Sequence, residues 1–250
     1  MRTLYAAPLL ALAWATACST PRSMARSWGS KVVGTGISQK TVQAMDVPFR
    51  VTVWAGDNQR VTPDAALAAA EAEIQRVATM VSPTHRLSEL RQVNLEAPRK
   101  PSVVSPEFFS LLTQAKAMWE RSSGNFRVTR AEGDGAPMVD EGAELDLTLD
   151  DRLHTVRFKD FQTRLDLHGI ARGYAAQKAA EKLGALGLGG FSISVGGFLA
   201  AAGEALQDPR LMCLENPRRK GTCGARIEAM DPARVLYLGT AGRDGGVVLS

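Results

Sequence analysis

Polar and apolar residues alternate along Phe49-Arg50-Val51-Thr52-Val53-Trp54, the period of a half-buried strand. From Pro63 to Val81 the period changes to that of a helix. Leu67, Ala70, Ile74, Val77 and Val81 share one face, Asp64 is the candidate cap, and Ser82-Pro83 stops the run. A second helical stretch opens at Pro106 with Phe109, Leu112, Ala115, Met118 and Trp119 as its apolar stripe, and ends at Ser122-Ser123-Gly124. Residues 130–144 are acidic and glycine-rich without periodicity, and read as a loop. Residues 145–149, 155–158 and 163–167 alternate again; their spacing predicts an antiparallel meander. A third helix is expected from Ala171 to Ala185 and a strand from Phe191 to Val195. Beyond Gly203 the pattern weakens: residues 209–226 are polar, basic and marked by proline, and residues 234–238 and 246–249 read as weak strands. No internal repeat is visible.

The first eighteen residues stand apart. Arg2 is a short positive region, and Leu4 to Trp14 form an apolar run too short to cross a bilayer. Ala15-Thr16-Ala17-Cys18 resembles a bacterial lipobox, with Cys18 as the residue to be lipidated. The alternative is an ordinary secretory signal cut at an Ala-x-Ala-like site. Either reading exports the chain, and Ser19 after the cysteine lacks the acidic inner-membrane retention signal. The expectation is a lipid-anchored protein facing the periplasm. The segments expected are a signal peptide (1–18), a Ser-, Arg- and Gly-rich tether (19–40) and one domain (41–250).

With 45% hydrophobic and 22% charged residues, the 250-residue chain can bury a globular core. Thirty Lys and Arg against 26 Asp and Glu give a formal charge of +4. The excess is spread along the chain, so it is not the footprint of a nucleic-acid binder. Cys213 and Cys223 lie in an oxidising compartment if the chain is exported, and a disulfide between them is expected, worth about 2–3 kcal/mol if unstrained. Two free thiols or a partial metal site are the alternatives.

The strongest chemical clue is a corner. Asp166 ends a strand just before Gly169-Ile170-Ala171-Arg172-Gly173, which opens a helix. Amides at a helix start favour anions, and the glycines allow close approach. A carboxylate there either caps the helix or holds a cation, a ribose or a base. Gly196-Gly197 after the next strand is either a tight turn or a second close approach of backbone to ligand. His85, His154 and His168 are too scattered for a histidine metal triad. His168 adjoins the corner, where a surface or packing role is expected. No Gly-x-Ser-x-Gly elbow and no Gly-x-Gly-x-x-Gly after a strand occur, which argues against a serine hydrolase and a dinucleotide fold.

These residues resemble the FAD:protein FMN transferases, the ApbE family of thiamine-biosynthesis lipoproteins. The family string Asp-Leu-Gly-Gly-Ile-Ala-Lys-Gly-Tyr stands here as residues 166–174, from Asp166 to Tyr174, and its following Gly-Gly-Asp as Gly196-Gly197-Phe198. Met45 takes the place of the methionine before the first strand. Ser88-Glu89-Leu90 through Asn94 matches Ser-Glu-Leu-Ser-x-Leu-Asn, and Ser123 to Thr129 matches Gly-x-Phe-Asp-x-Thr. The resemblance implies an α+β fold of ApbE-like (T-fold-like) antiparallel sheets with packed helices. It implies FAD and Mg²⁺ as cofactors, and transfer of FMN to a Thr or Ser hydroxyl of an exported acceptor protein, with release of AMP. Asp166 and Arg172 would be catalytic. Met45, Thr84, Asn125, Phe126, Arg127, Asp166, Arg172, Gly196 and Gly197 would contact the flavin nucleotide, and the Gly169 carbonyl would bind Mg²⁺. Asp46-Val47, Arg127, Arg172 and Phe198 depart from the family's Gly-Thr, Asp, Lys and Asp. Leu238 to Gly242 resembles the family's Ala-Thr-Ser-Gly, whereas the later His-x-x-Asp-Pro-x-Thr-Gly is absent, so the sequence reads as a divergent, C-terminally truncated member. A catalytically inactive flavin-binding or scaffold lipoprotein is the second reading.

Overall fold

In the computed structural model the described residues are 36–55, 61–131, 145–207, 213–216, 218–219, 222–226, 235–241 and 246–249. The signal segment, Cys18 and most of the glycine-rich loop at 130–144 lie outside them. A hairpin starts the fold. Strands β1 (Ile37–Ala44) and β2 (Val47–Trp54) pair antiparallel from Ile37↔Trp54 to Ala44↔Val47. Only Met45 and Asp46 connect them, both in the left-handed region at φ 51° and 61°. That is the backbone of a type I′ turn, whose twist matches the strands but which favours Gly and Asn. The sheet thus begins at Ile37, inside the segment read as a tether.

Helix α1 (Pro63–Met80) follows the expected period, burying Ala66, Leu67, Ala70, Ile74, Val77 and Met80. Its cap is Thr62, whose hydroxyl accepts from the Ala65 amide, and not Asp64. Helix α2 (Glu89–Glu96) was not evident from periodicity; only Leu90 and Val93 are buried along it. After the short strand β3 (Ser102–Val103), Ser105 caps α3 (Pro106–Arg121), which buries Phe108, Phe109, Leu111, Leu112 and Ala115. Strand β4 (Thr129–Ala131) comes next, then β5 (Leu147–Asp150), β6 (Thr155–Phe158) and β7 (Thr163–Leu165). The expected three-stranded meander is not formed. β6 pairs with β5 and β3, while β7 leaves to pair with β4.

Helix α4 (His168–Gly184) starts three residues earlier than expected and carries an alanine-rich buried face. Strands β8 (Gly190–Val195) and β9 (Phe198–Gly203) form a hairpin through Gly196-Gly197. The strands β10 (Cys213–Glu215) and β11 (Cys223–Arg226) pair with each other, and Cys223 is disulfide-bonded. Finally β12 (Leu236–Ala241) and β13 (Gly246–Leu249) complete a six-stranded antiparallel sheet in the order β1-β2-β8-β9-β12-β13.

α1 and α4 pack together, α1 against β1 and β2 and α4 against β8 and β9. Small side chains, Ala66 and Ala70 on one helix and Ala175, Ala176, Ala179 and Ala180 on the other, permit a close approach. The largest wholly buried side chains include Phe49, Ile74, Phe108, Leu111 and Leu183, each contributing about 1.5–3 kcal/mol. The described structure is α+β, with antiparallel sheets and helices packed on them, as the sequence implied. Among the described residues no helix is long and apolar enough to cross a membrane.

Candidate functional site

Four hydrogen-bonding clamps put the corner in place. The Ser88 hydroxyl donates to the carbonyl of Met80 at 2.8 Å and accepts from the Arg91 amide, joining the end of α1 to the start of α2. Glu89 accepts from the amide and hydroxyl of Ser105 at 2.7 and 2.8 Å, fixing the start of α3. The amide of Asn94 pairs with the backbone of Leu165 in both directions, at 3.0 and 2.7 Å. The Ser-Glu-Leu…Asn stretch is therefore a framework motif: it sets β7, whose next residue is Asp166. In turn the Asp166 amide donates to the Val128 carbonyl at 2.8 Å.

One carboxylate oxygen of Asp166, Oδ1, accepts from the His168 amide at 3.0 Å and lies 2.8 Å from His168 Nδ1. It thus holds the amide of the first residue of α4, whose N-cap is Leu167, and orients the imidazole at once. An ionised carboxylate only accepts, so Nδ1 carries the proton and Nε2 of the neutral ring is the basic nitrogen. His168 is exposed (62%), at the surface as expected, and Asp166 orients its ring.

Arg172, one turn along α4, gives one long bond from Nη2 to the Met45 carbonyl, 3.4 Å. Its Nε is buried and has no hydrogen-bond partner among the described residues. Such an atom costs about 1–3 kcal/mol unless something accepts from it. Beside it opens a crevice of about 410 Å³, lined by Met45, Asp46, Thr84, His85, His168 and Arg172 among others. Its volume lies in the range of small-molecule sites. Ser82 shapes its far wall, accepting from the amides of Thr84 and His85 at 3.3 and 3.1 Å. His85 Nδ1 accepts from the Leu87 amide, so its proton sits on Nε2 when neutral. An oxyanion with several acceptor oxygens fits this wall, because the planar guanidinium presents Nε and an Nη side by side.

The expected site residues separate into four groups. Met45, Thr84 and Arg172 line the crevice, and Asp166 stands at its edge through His168. Gly169 and Phe126 meet in the first turn of α4: a Cβ on Gly169 would come within 3.0 Å of the Phe126 ring. Asn125 and Arg127 bond within their own loop, to the carbonyls of Ser122 and Gly124. Gly196 and Gly197 are exposed at the β8–β9 turn and do not line the crevice; Gly196 is needed for its φ of 55°.

Mg²⁺ is a poor match for these donors. Gly169 sits in the first turn of a regular helix, where its carbonyl points down the axis toward residue 173. One oxygen of Asp166 is committed to His168. Among the described residues no three Asp, Glu, His or Cys side chains converge as a metal site, and a cation of this kind needs near-octahedral oxygen ligation.

Sequence reasoning missed Asp46, His85 and the pairing of His168. The signals were an Asp-x-His at a strand-to-helix corner and a Ser-x-Thr-His turn. It also missed the brace behind the site. Tyr174 donates to Glu107 at 3.3 Å, and Glu107 takes both guanidinium ends of Arg76 at 2.6 and 2.7 Å. Arg76 holds the Glu107 carboxyl below its usual range, and burial, with Glu107 beside it, pushes the Tyr174 phenol up.

Solved structures share this architecture. The ApbE protein of Thermotoga maritima MSB8 is 19% identical with a TM-score of 0.62, over 86% of this chain and 75% of that one. A flavin transferase ApbE from Vibrio cholerae is 16% identical with a TM-score of 0.65, over 87% and 75%. The apo form of the Pseudomonas stutzeri flavinyl transferase ApbE is 16% identical with a TM-score of 0.64, over 85% and 71%. At these identities the likeness establishes the fold. No curated protein matches the chain. The sequence pattern of the ApbE family matches residues 45–243, which takes in the turn at Met45, the clamps, the Asp166 corner and the closing strand β12; the chain belongs to the ApbE family.

Proposed function

We propose that this protein transfers FMN from FAD to a Thr or Ser hydroxyl of an acceptor protein, releasing AMP. The observation that carries the reading is the buried, partnerless Nε of Arg172 on the wall of the crevice, one turn from the Asp166–His168 pair. Family membership and the flavin transferase activity of the fold's relatives support it. Arg172 would hold the diphosphate of FAD and offset charge on it. The hydroxyl oxygen of the acceptor forms a bond to the phosphorus on the FMN side. The bond from that phosphorus to the bridging oxygen breaks, and its electron pair leaves with AMP. His168 Nε2, held by Asp166, takes the hydroxyl proton. The flavin donor, the Thr or Ser acceptor, export and lipid anchoring at Cys18 toward the periplasm belong to the same proposal; the last two rest on the sequence pattern of residues 1–19.

The test is AMP release from FAD by chromatography, with in-gel flavin fluorescence of the acceptor. Equimolar AMP and labelled acceptor are expected, and Asp166→Ala or Arg172→Ala should each lower the rate at least about a hundredfold. FAD that is bound but stays intact defeats the proposal in favour of a flavin-binding scaffold, a reading that Phe198 and Arg127 favour by replacing two family acids. A parallel reaction in EDTA reads any contribution of Mg²⁺ from outside the described residues.

A further inference from the structure

A second hollow of about 380 Å³ adjoins the crevice, with Pro83 lining both. Three arginines face it: Arg91 on α2, Arg99 just beyond α2, and Arg164 on β7. No Asp or Glu lines it. Arg164 is fixed at the rim by bonds from Nη1 to the carbonyls of Phe161 and Thr163, at 3.0 and 2.8 Å. The side chains of Arg91 and Arg99 make no ion pair or hydrogen bond with any described residue. Three like charges gathered around one cavity repel one another, and an anion offsets that cost.

The remaining walls are apolar. Phe161 is 70% exposed and Leu95 53% exposed, and both line the hollow. Neither would add anything to the binding of a small inorganic anion. Together with the guanidiniums they suit a ligand that carries a carboxylate beside an apolar side chain. The position is equally specific. Arg164 on β7 is two residues before Asp166, and Pro83 precedes the crevice residue Thr84.

We propose that this hollow docks an acidic segment of the acceptor polypeptide, with its carboxylates on the arginines and a neighbouring apolar side chain on Phe161 and Leu95, so that a hydroxyl beyond it reaches the crevice. The inference rests on the transfer reading above, since that reading supplies the polypeptide. Charge complementarity selects the partner, and the apolar wall distinguishes a peptide from free phosphate.

The experiment uses the full chain and fluorescein-labelled peptides with Glu-Glu-Leu, Glu-Glu-Ser or Lys-Lys-Leu cores, read by fluorescence anisotropy. Inorganic phosphate and an oligothymidylate serve as competitors. The Glu-Glu-Leu peptide should bind tightest and weaken as salt screens the charges. The double variant Arg91→Glu, Arg99→Glu should lose about tenfold or more in affinity and gain the Lys-Lys-Leu peptide. Arg157→Glu, an exposed reversal on β6, should change neither. Equal binding of the Leu and Ser peptides overturns the proposal, as does full competition by phosphate or oligothymidylate, or an unaltered double variant whose melting curve shows it folded. Flavin fluorescence in the same samples separates the two failures. Peptide binding without FAD binding sinks the transfer reading alone, and FAD cleavage without peptide binding sinks the docking surface alone.

Discussion

Removing the Asn94 amide should loosen the site before it touches any chemistry. In Asn94→Ala the backbone of Leu165 loses both partners, a donor bond of 2.7 Å and an acceptor bond of 3.0 Å. Leu165 is only 3% exposed, so water replaces them poorly. Two net hydrogen bonds are worth about 1–3 kcal/mol, and two groups left unsatisfied raise the cost toward 3–4 kcal/mol. Asn94→Asp should be as damaging, because it keeps an acceptor for the Leu165 amide but faces the Leu165 carbonyl with another oxygen. Urea unfolding followed by far-ultraviolet circular dichroism reads the loss as a shift in midpoint at constant slope. Asp166 and His168 follow directly on this strand, so both variants should also weaken FAD binding at temperatures where they remain folded. A loss below about 0.5 kcal/mol in Asn94→Ala, or a normal Asn94→Asp, would refute the claim that this side chain anchors β7.

Three further outcomes follow from the same geometry. Asp166→Ala removes the acceptor at the start of α4 and should cost about 1 kcal/mol in urea unfolding, besides abolishing AMP release; Asp166→Asn, which can still accept from the His168 amide, should recover most of the stability but not the rate. Gly203→Ala should cost about 3 kcal/mol, because φ is 61° and the new Cβ would lie 2.2 Å from the Gly189 carbonyl oxygen; Gly187→Ala, at φ 66° with open space around it, should cost only about 1–2 kcal/mol. Glu107 is held below its usual range by Arg76, so the stability it lends is present at neutral pH and is lost as pH falls below the ordinary carboxylate range of about 4.3. Melting temperatures against pH should show that acid loss in the native chain and a flatter profile in Glu107→Gln.

The long elements were legible because burial there follows a simple period. α1 and α3 each bury one continuous stripe, and their sequences show it. β1 was missed because it is nearly all exposed, with only Val42 and Ala44 buried, so no alternation marks it. α2 was missed because eight residues with two buried positions carry almost no periodic signal; tertiary clamps through Ser88 and Glu89 hold it in place. The meander failed for another reason. Alternation identifies a strand but says nothing of its partner, and β7 is drawn to β4 by the Asn94 clamp and the Val128 carbonyl. At the site, Met45, Thr84 and Arg172 were reached through family resemblance, and the structure gathers them in one crevice. The left-handed turn at Met45-Asp46 could not be read, because neither residue signals a positive φ as Gly or Asn would.

The departures from the family string form one consistent pattern. Phe198, where the family has an acid, lays its ring on the first turns of α4: a Cβ on Gly173 would touch it at 3.6 Å, and the Tyr237 ring lies 6.2 Å away. A carboxylate at that place would face the partly buried ring of Tyr237, where its charge would be less well solvated than in open water. On the other side of α4, His168 replaces a glycine and ties up an oxygen of Asp166. One flank thus carries Phe198 in place of an acid and the other has Asp166 paired with His168, while Arg172 Nε has no partner among the described residues. Asp46 remains as a carboxylate on the crevice wall, so the entrance presents both an acid and the Arg172 hydrogen-bond donors to a phosphate ligand.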